Sequence, residues 1–114
     1  MMKEIFERRS VRKFVAREVE AEKLEAVLRA GMAAPSAGNQ RPWEFYIVRD
    51  REKLEALSKL SRYAGPIAAA PLAIVTVCDP EGKRFAEVAA TDMAACTENL
   101  WLGAVSVGLG TVWI

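Results

Sequence analysis

The amino-acid sequence predicts an α+β domain of two or three layers, and three observations carry that reading. Apolar residues recur at helical spacing from Glu20 to Gly31, through Leu24, Val27 and Leu28 and on to Met32. Two segments, 43–49 and 72–78, have the length and the aromatic or β-branched content of strands. A third, from Lys83 to about Val107, is long and increasingly apolar, as a buried helix would be. Helices alternate with strands, but the connections look too mixed for a strictly wound parallel sheet.

In chain order, Lys3 to Arg9 reads as a short helix ending near Ser10, with Arg8 and Arg9 in its last turn, where positive charge suits the helix dipole. The helix from Glu20 to Gly31 carries acidic residues early, Arg29 late and Gly31 near its stop. Trp43 to Arg49 is a strand, after which Asp50 caps a helix with Leu54, Leu57 and Leu60 on one face. Tyr63 to Pro66 breaks that helix. Leu72 to Cys78 is apolar almost throughout, which predicts a central strand buried on both faces. Asp79-Pro80-Glu81-Gly82 then makes a turn.

The long helix is apolar nearly all round through Met93, Ala94, Leu100, Trp101, Leu102 and Val105. Such a helix must be enclosed by its own sheet and by something else, a second subunit being one candidate. Asp92, Cys96 and Asn99 share one side of it, with Glu98 adjacent. Contact with a ligand, exposure to solvent and hydrogen bonding between subunits are open readings for these polar groups.

A chain of 114 residues suits one domain and buries roughly 60–70% of its unfolded surface without a disulfide or metal staple. Charge is balanced, 16 Lys and Arg against 15 Asp and Glu, so no global signal points to nucleic acid or an anionic membrane. Histidine is absent, which removes Ser-His-Asp and Cys-His hydrolases and imidazole metal sites. Cys78 and Cys96 lie too far apart for a redox Cys-x-x-Cys pair and read as small buried hydrophobes of a reducing compartment. The charged start, Met1 to Glu7, has no apolar signal core, and the uncharged stretch from Asn99 to Ile114 is too short to span a bilayer. Cytoplasm is the expected location. Gly108-Leu109-Gly110 is followed by Thr111-Val112-Trp113, so it does not complete a dinucleotide-binding fingerprint.

Two segments carry chemistry. The run Arg8-Arg9-Ser10-Val11-Arg12-Lys13 sets four cations around one hydroxyl, and guanidinium forks bind phosphate oxygens in pairs. A solvated helix end is the plainer reading of the same residues. The loop Ala34-Pro35-Ser36-Ala37-Gly38-Asn39-Gln40-Arg41-Pro42-Trp43 combines small residues, which let a ligand approach the backbone, with two amide side chains offering donors and acceptors. A simple helix-to-strand connector is its plainer reading. A flat heterocycle with a phosphate tail would satisfy both segments.

Together the segments resemble a family. The ordered set Arg8-Arg9-Ser10-Val11-Arg12, Ala34 to Asn39 with Pro42-Trp43, Asp92 through Asn99-Leu100, and Gly108 to Trp113 is similar to the FMN-dependent nitroreductases over nearly the whole chain. The resemblance implies an α+β fold with a mixed, mostly antiparallel sheet flanked by helices, and a long buried central helix at the interface of a homodimer. It implies FMN as cofactor, with NADH or NADPH as donor and nitroaromatics, quinones or similar small molecules as acceptors. Arg8, Ser10 and Arg12 would hold the FMN phosphate, with Arg9 beside them, while Pro35, Ser36, Ala37, Gly38 and Asn39 of the partner would line the flavin and its ribityl chain. No residue is assigned as catalytic, because the flavin carries the redox step.

Two departures from the family pattern stand out. Arg41 occupies the place before Pro42-Trp43 where the family often has Gln, here found at Gln40. Family chains also usually continue well past the strand expected near Thr111, so residues 1–114 are expected to be one FMN-binding domain incomplete at its C-terminus. A flavin-binding or assembly protein without efficient turnover is the alternative function, and an oligomerising structural module the third.

Overall fold

The computed structural model describes residues 1–79 and 81–114. Among them four helices, α1 (Lys3–Glu7), α2 (Ala21–Met32), α3 (Arg51–Leu57) and α4 (Ala89–Ser106), accompany two strands, β1 (Trp43–Val48) and β2 (Ala73–Cys78). The strands are antiparallel, in register from Trp43 opposite Cys78 to Val48 opposite Ala73. Single 3-10 turns lie at Ala37–Asn39, Gly65–Ala69 and Ala86–Val88. This is the α+β class expected, and α4 is the expected long helix.

The core forms where α2 crosses α4. Val27, Ala34, Cys96, Leu100 and Ala104 are buried together, with Leu28, Trp43, Phe45 and Ile74 packed around them. Each helix contributes a glycine at the crossing. A Cβ on Gly31 would sit 2.5 Å from Leu100 Cδ2, and one on Gly103 would sit 2.7 Å from the Ala30 methyl. Close approach also lets Asn99 Nδ2 donate to the Ala30 carbonyl at 3.1 Å. Asn99 is therefore taken up within the chain.

Local chemistry sets the element ends. Asp50 caps α3 as expected, Oδ1 accepting from Lys53 N at 3.0 Å, and Leu54 is fully buried. The helix stops at Leu57, so Leu60 falls outside it and is exposed rather than sharing its apolar face. Arg51 ties the turn at Gly65–Ala69 to the start of α3 by donating to the Ala68 and Ala70 carbonyls at 2.6 and 2.8 Å.

Four expectations are corrected. The first helix ends at Glu7, and Arg8 is already extended (φ −52°, ψ 133°), so neither Arg8 nor Arg9 lies in a helical turn. The long helix starts at Ala89, not Lys83: the Phe85 N–H donates to Gln40, and the Phe85 carbonyl is shared between Gln40 Nε2 and Val88 N of the 3-10 turn that precedes α4. β2 is half-buried throughout, since it pairs with β1 alone among the described residues and is not a central strand. Near Thr111 the described residues form one parallel bridge to Ser10, with Val11 N donating to the Thr111 carbonyl at 3.0 Å, and no continuous strand. Pro80 of the expected turn lies outside the described residues; next to it, Glu81 N donates to Asp79 Oδ1 at 3.0 Å.

Candidate functional site

The two segments singled out above both lean on α4, one toward each end. At one end Arg8 lies over the Trp101 ring, guanidinium carbon to ring centroid 4.3 Å, with its Nε 4.0 Å from Glu98 Oε1. A cation over an indole face is attracted by the ring quadrupole, and Arg8 is half-buried there. Ser10 and Val11 are fixed by the bridge to Thr111. Arg12 and Ser10 are exposed, as a site for a charged ligand requires. Arg9 is used differently: its Nη1 donates to the Phe6 and Arg8 carbonyls at 2.7 and 2.8 Å, closing the end of α1.

At the other end the loop folds over Asp92. Residues Ala37–Asn39 make one 3-10 turn, with Gly38 at φ 56°, Asn39 at φ 54° and Arg41 at φ 46°. Left-handed conformations are rare for residues other than glycine, so this run needs support from outside. Asp92, only 7% exposed, provides it. Its Oδ1 accepts from Ala37 N at 2.9 Å and its Oδ2 from Gln40 Nε2 at 2.7 Å. Ser36 Oγ accepts from Arg41 N at 2.9 Å. Pro35 and Asn39 are exposed beside them.

Asp92 therefore serves the fold of its own chain; of the three readings open for it, none describes this use. Gln40, expected to offer its amide to a ligand, is likewise consumed: besides bonding Asp92 it donates to the Phe85 carbonyl at 3.0 Å and accepts from Phe85 N at 3.1 Å. No sequence signal pointed to Phe85 or to Trp101 beneath Arg8, because contacts so distant along the chain leave no local pattern. Arg41, where the family pattern often has Gln, keeps its side chain exposed and outside these bonds.

Within one chain the two clusters remain separate. They are anchored on α4 at Asp92 and at Trp101, a rise of about 13 Å along the helix. A cavity of about 790 Å³ borders the cationic cluster through Val11, Lys13 and Trp101 but not the loop. Val11, Leu24, Leu57, Ile74, Trp101 and Leu109 help to line it, whereas Arg8, Ser10, Arg12 and residues 35–39 do not. The lining is mostly apolar but also includes the cations Lys13, Arg17 and Lys23. Cys96 lies buried between the clusters, and burial pushes its thiol up to about 11, which leaves it inert at neutral pH. Among the described residues no helix is long and apolar enough to cross a membrane.

Residues 5–84 match the family model described as Nitroreductase family. A relative in Archaeoglobus fulgidus, provisionally named an NADH dehydrogenase/NAD(P)H nitroreductase, is 40% identical across 99% of this chain and 66% of its own length. Among solved structures, a provisionally named NADH oxidase of Clostridium acetobutylicum is 49% identical with a TM-score of 0.95, covering 97% of this chain and 67% of that one. A provisionally named nitroreductase of Desulfovibrio desulfuricans, solved in complex with FMN, is 29% identical with a TM-score of 0.91, covering 99% of this chain and 66% of that one. This chain thus spans about two thirds of the length of these relatives. With the family match running through both the cationic segment and the loop, and with such identity along nearly every residue, the chain belongs to the nitroreductase family.

Proposed function

We propose that this chain serves an FMN-dependent oxidoreductase that passes reducing equivalents from NADH or NADPH to nitroaromatics, quinones or similar small acceptors. The observation that carries the proposal is the pair of clusters on α4. An exposed cation-and-hydroxyl segment stands at one end and a loop with small residues and an exposed amide at the other. Their donors fit FMN: guanidinium forks on Arg8 and Arg12 and the Ser10 hydroxyl suit a phosphate monoester. The narrow backbone at Ala37 and Gly38, with Asn39 beside it, suits a flat ring and a polyol chain. The FMN-bound relative supports the same reading.

When bound, FMN supplies a ring that accepts and releases reducing equivalents. The residues of this chain bind and orient it: Arg8, Ser10 and Arg12 neutralise the phosphate, with Pro35, Ser36, Ala37, Gly38 and Asn39 against the ring and ribityl chain. Since one chain keeps these clusters apart, the proposal places each FMN between two copies, the arginines of one facing the loop of its partner. Half-buried Met93, Leu102 and Val105 along α4 are apolar surface that such a homodimer would cover. Residues 1–114 act as one FMN-binding domain in this proposal, in a cytoplasmic setting that keeps Cys78 and Cys96 reduced.

An absorption spectrum and one anaerobic mixing experiment test it. Purified protein should be yellow or become so with added FMN, lose colour with NADH or NADPH, and regain it with a quinone or nitroaromatic. Protein that takes up FMN but stays yellow with either nucleotide refutes turnover. Protein that takes up no FMN refutes the cofactor.

A further inference from the structure

We propose that Asp92 and Gln40 are positioning residues that hold the 36–41 loop in its ligand-receptive shape before any ligand arrives. The inference rests on the cofactor reading above and adds the device behind it. Three residues of the loop, Gly38, Asn39 and Arg41, occupy left-handed backbone, a shape that a short free loop does not keep unaided. The restraint comes from far along the chain. Asp92 on α4 receives the Ala37 N–H and the Gln40 amide from beneath. Gln40 in turn grips both polar groups of the Phe85 backbone. That places the Phe85 ring against Gly38, where a Cβ would lie 2.5 Å from the ring edge.

The clamp also decides what the loop presents. Its bonds, with those of the turn itself, occupy the N–H groups of Ala37, Asn39, Gln40 and Arg41 and the whole Gln40 amide. Among the described residues, the Gly38 N–H and the exposed Asn39 and Arg41 side chains are donors of the loop that these bonds leave free. Asp92 thus acts through the loop and need not touch the ligand. It is a positioning residue.

Reversing the pair tests this. In D92N the amide at position 92 accepts from Ala37 or from Gln40 but not from both, since its NH₂ then faces another donor. In Q40E/D92N that amide donates to the carboxylate introduced at position 40 while still accepting from Ala37, and the new carboxylate still accepts from Phe85 N, but the Phe85 carbonyl loses the bond Gln40 gave it and faces a carboxylate oxygen instead. We expect amide hydrogen exchange at residues 37–41 of the ligand-free protein to accelerate in D92N. FMN affinity, read by fluorescence quenching, should fall about tenfold or more. In Q40E/D92N both should recover in part, affinity rising at least about threefold above that of D92N, because the pair with position 92 is restored while the bond to the Phe85 carbonyl is not. A loss through general instability would not be recovered by a second substitution that reverses the donor and the acceptor. Parent-like FMN affinity in D92N, or a loss that Q40E leaves unrepaired, overturns the inference. If the unmodified protein takes up no FMN, the cofactor reading fails alone, and the clamp stands or falls on whether D92N accelerates exchange at those amides. Should D92N not fold, Q40A, which leaves Asp92 its bond to Ala37, carries the same comparison with the same expected direction and the same overturning result.

Discussion

The loop of residues 36–41 and the cationic segment of residues 8–12 lean on the same helix, but the loop is tied to it by a buried carboxylate and the segment by the contacts of Arg8 with Trp101 and Glu98, helped by a backbone bridge to Thr111 beyond the helix. Asp92 is buried and fully engaged, while the Arg12 and Ser10 side chains stand in solvent with no partner among the described residues. A buried, satisfied polar network fixes one geometry because breaking any member strands the others. Exposed cations hold no such geometry and gain their order from whatever anion arrives. The contrast divides labour: shape on one side, charge on the other. It also predicts that damage to the loop is felt in stability as well as in binding, and damage to the segment in binding alone.

The largest effect is expected from G38A. Gly38 has φ 56° and the Phe85 ring stands where a Cβ must go, so the substitution combines left-handed strain with a displaced ring and should cost about 2 kcal/mol of folding stability. Denaturant unfolding measures it. A change below about 0.5 kcal/mol would mean that the loop is free to rearrange, and the contrast with the cationic segment would collapse.

R12A should do the reverse. Arg12 is exposed, so stability should stay within about 0.5 kcal/mol of the parent protein, while FMN affinity falls about tenfold, the worth of a charge-assisted bond to phosphate. Riboflavin, which lacks the phosphate, separates charge from shape, and its affinity should be unmoved by R12A. Equal losses for both ligands would place Arg12 against the ring system and erase the division.

The sequence made this division only half legible. Apolar period gave α2 to within a residue, β-branched density gave β1, and Asp50 declared the cap of α3, because each signal is local. The same local rules ran α4 too far toward its N-terminus. Nothing in Lys83-Arg84-Phe85 reveals that Gln40 will bond the Phe85 backbone ahead of the helix. The arginines and the small-residue loop were visible as composition, and family resemblance joined them. What stayed hidden was the wiring, since Ala37, Gln40 and Asp92 meet only when the α2–α4 crossing brings the loop to the helix.

A smaller effect belongs to the shared floor of the two clusters. Burial raises the Cys96 thiol from 9.0 to about 11, so between those values the unfolded chain releases its proton while the folded one retains it. Fewer protons on the unfolded state mean stability that falls with rising pH. It is fully present below about pH 9 and lost as pH climbs toward 11. Melting temperatures at pH 8 and pH 10 should therefore diverge less in C96A than in the parent protein. An identical alkaline decline in both would assign the loss to other groups.

Arg9 offers the finest test, because it lies inside the cationic segment yet behaves structurally. The family resemblance set it beside the phosphate ligands, but its guanidinium is spent on the Phe6 and Arg8 carbonyls at the end of α1. Those bonds are exposed, so their loss in R9A should cost only about 0.5 kcal/mol, a shift near the limit of a careful denaturant titration. FMN affinity should change less than about twofold, far less than in R12A, because the Arg9 guanidinium is already bonded to the Phe6 and Arg8 carbonyls. If R9A instead loses FMN as R12A does, the guanidinium must leave α1 when the ligand arrives. The segment would then be a set of cations recruited on binding, even more loosely ordered than its contrast with the clamped loop already implies.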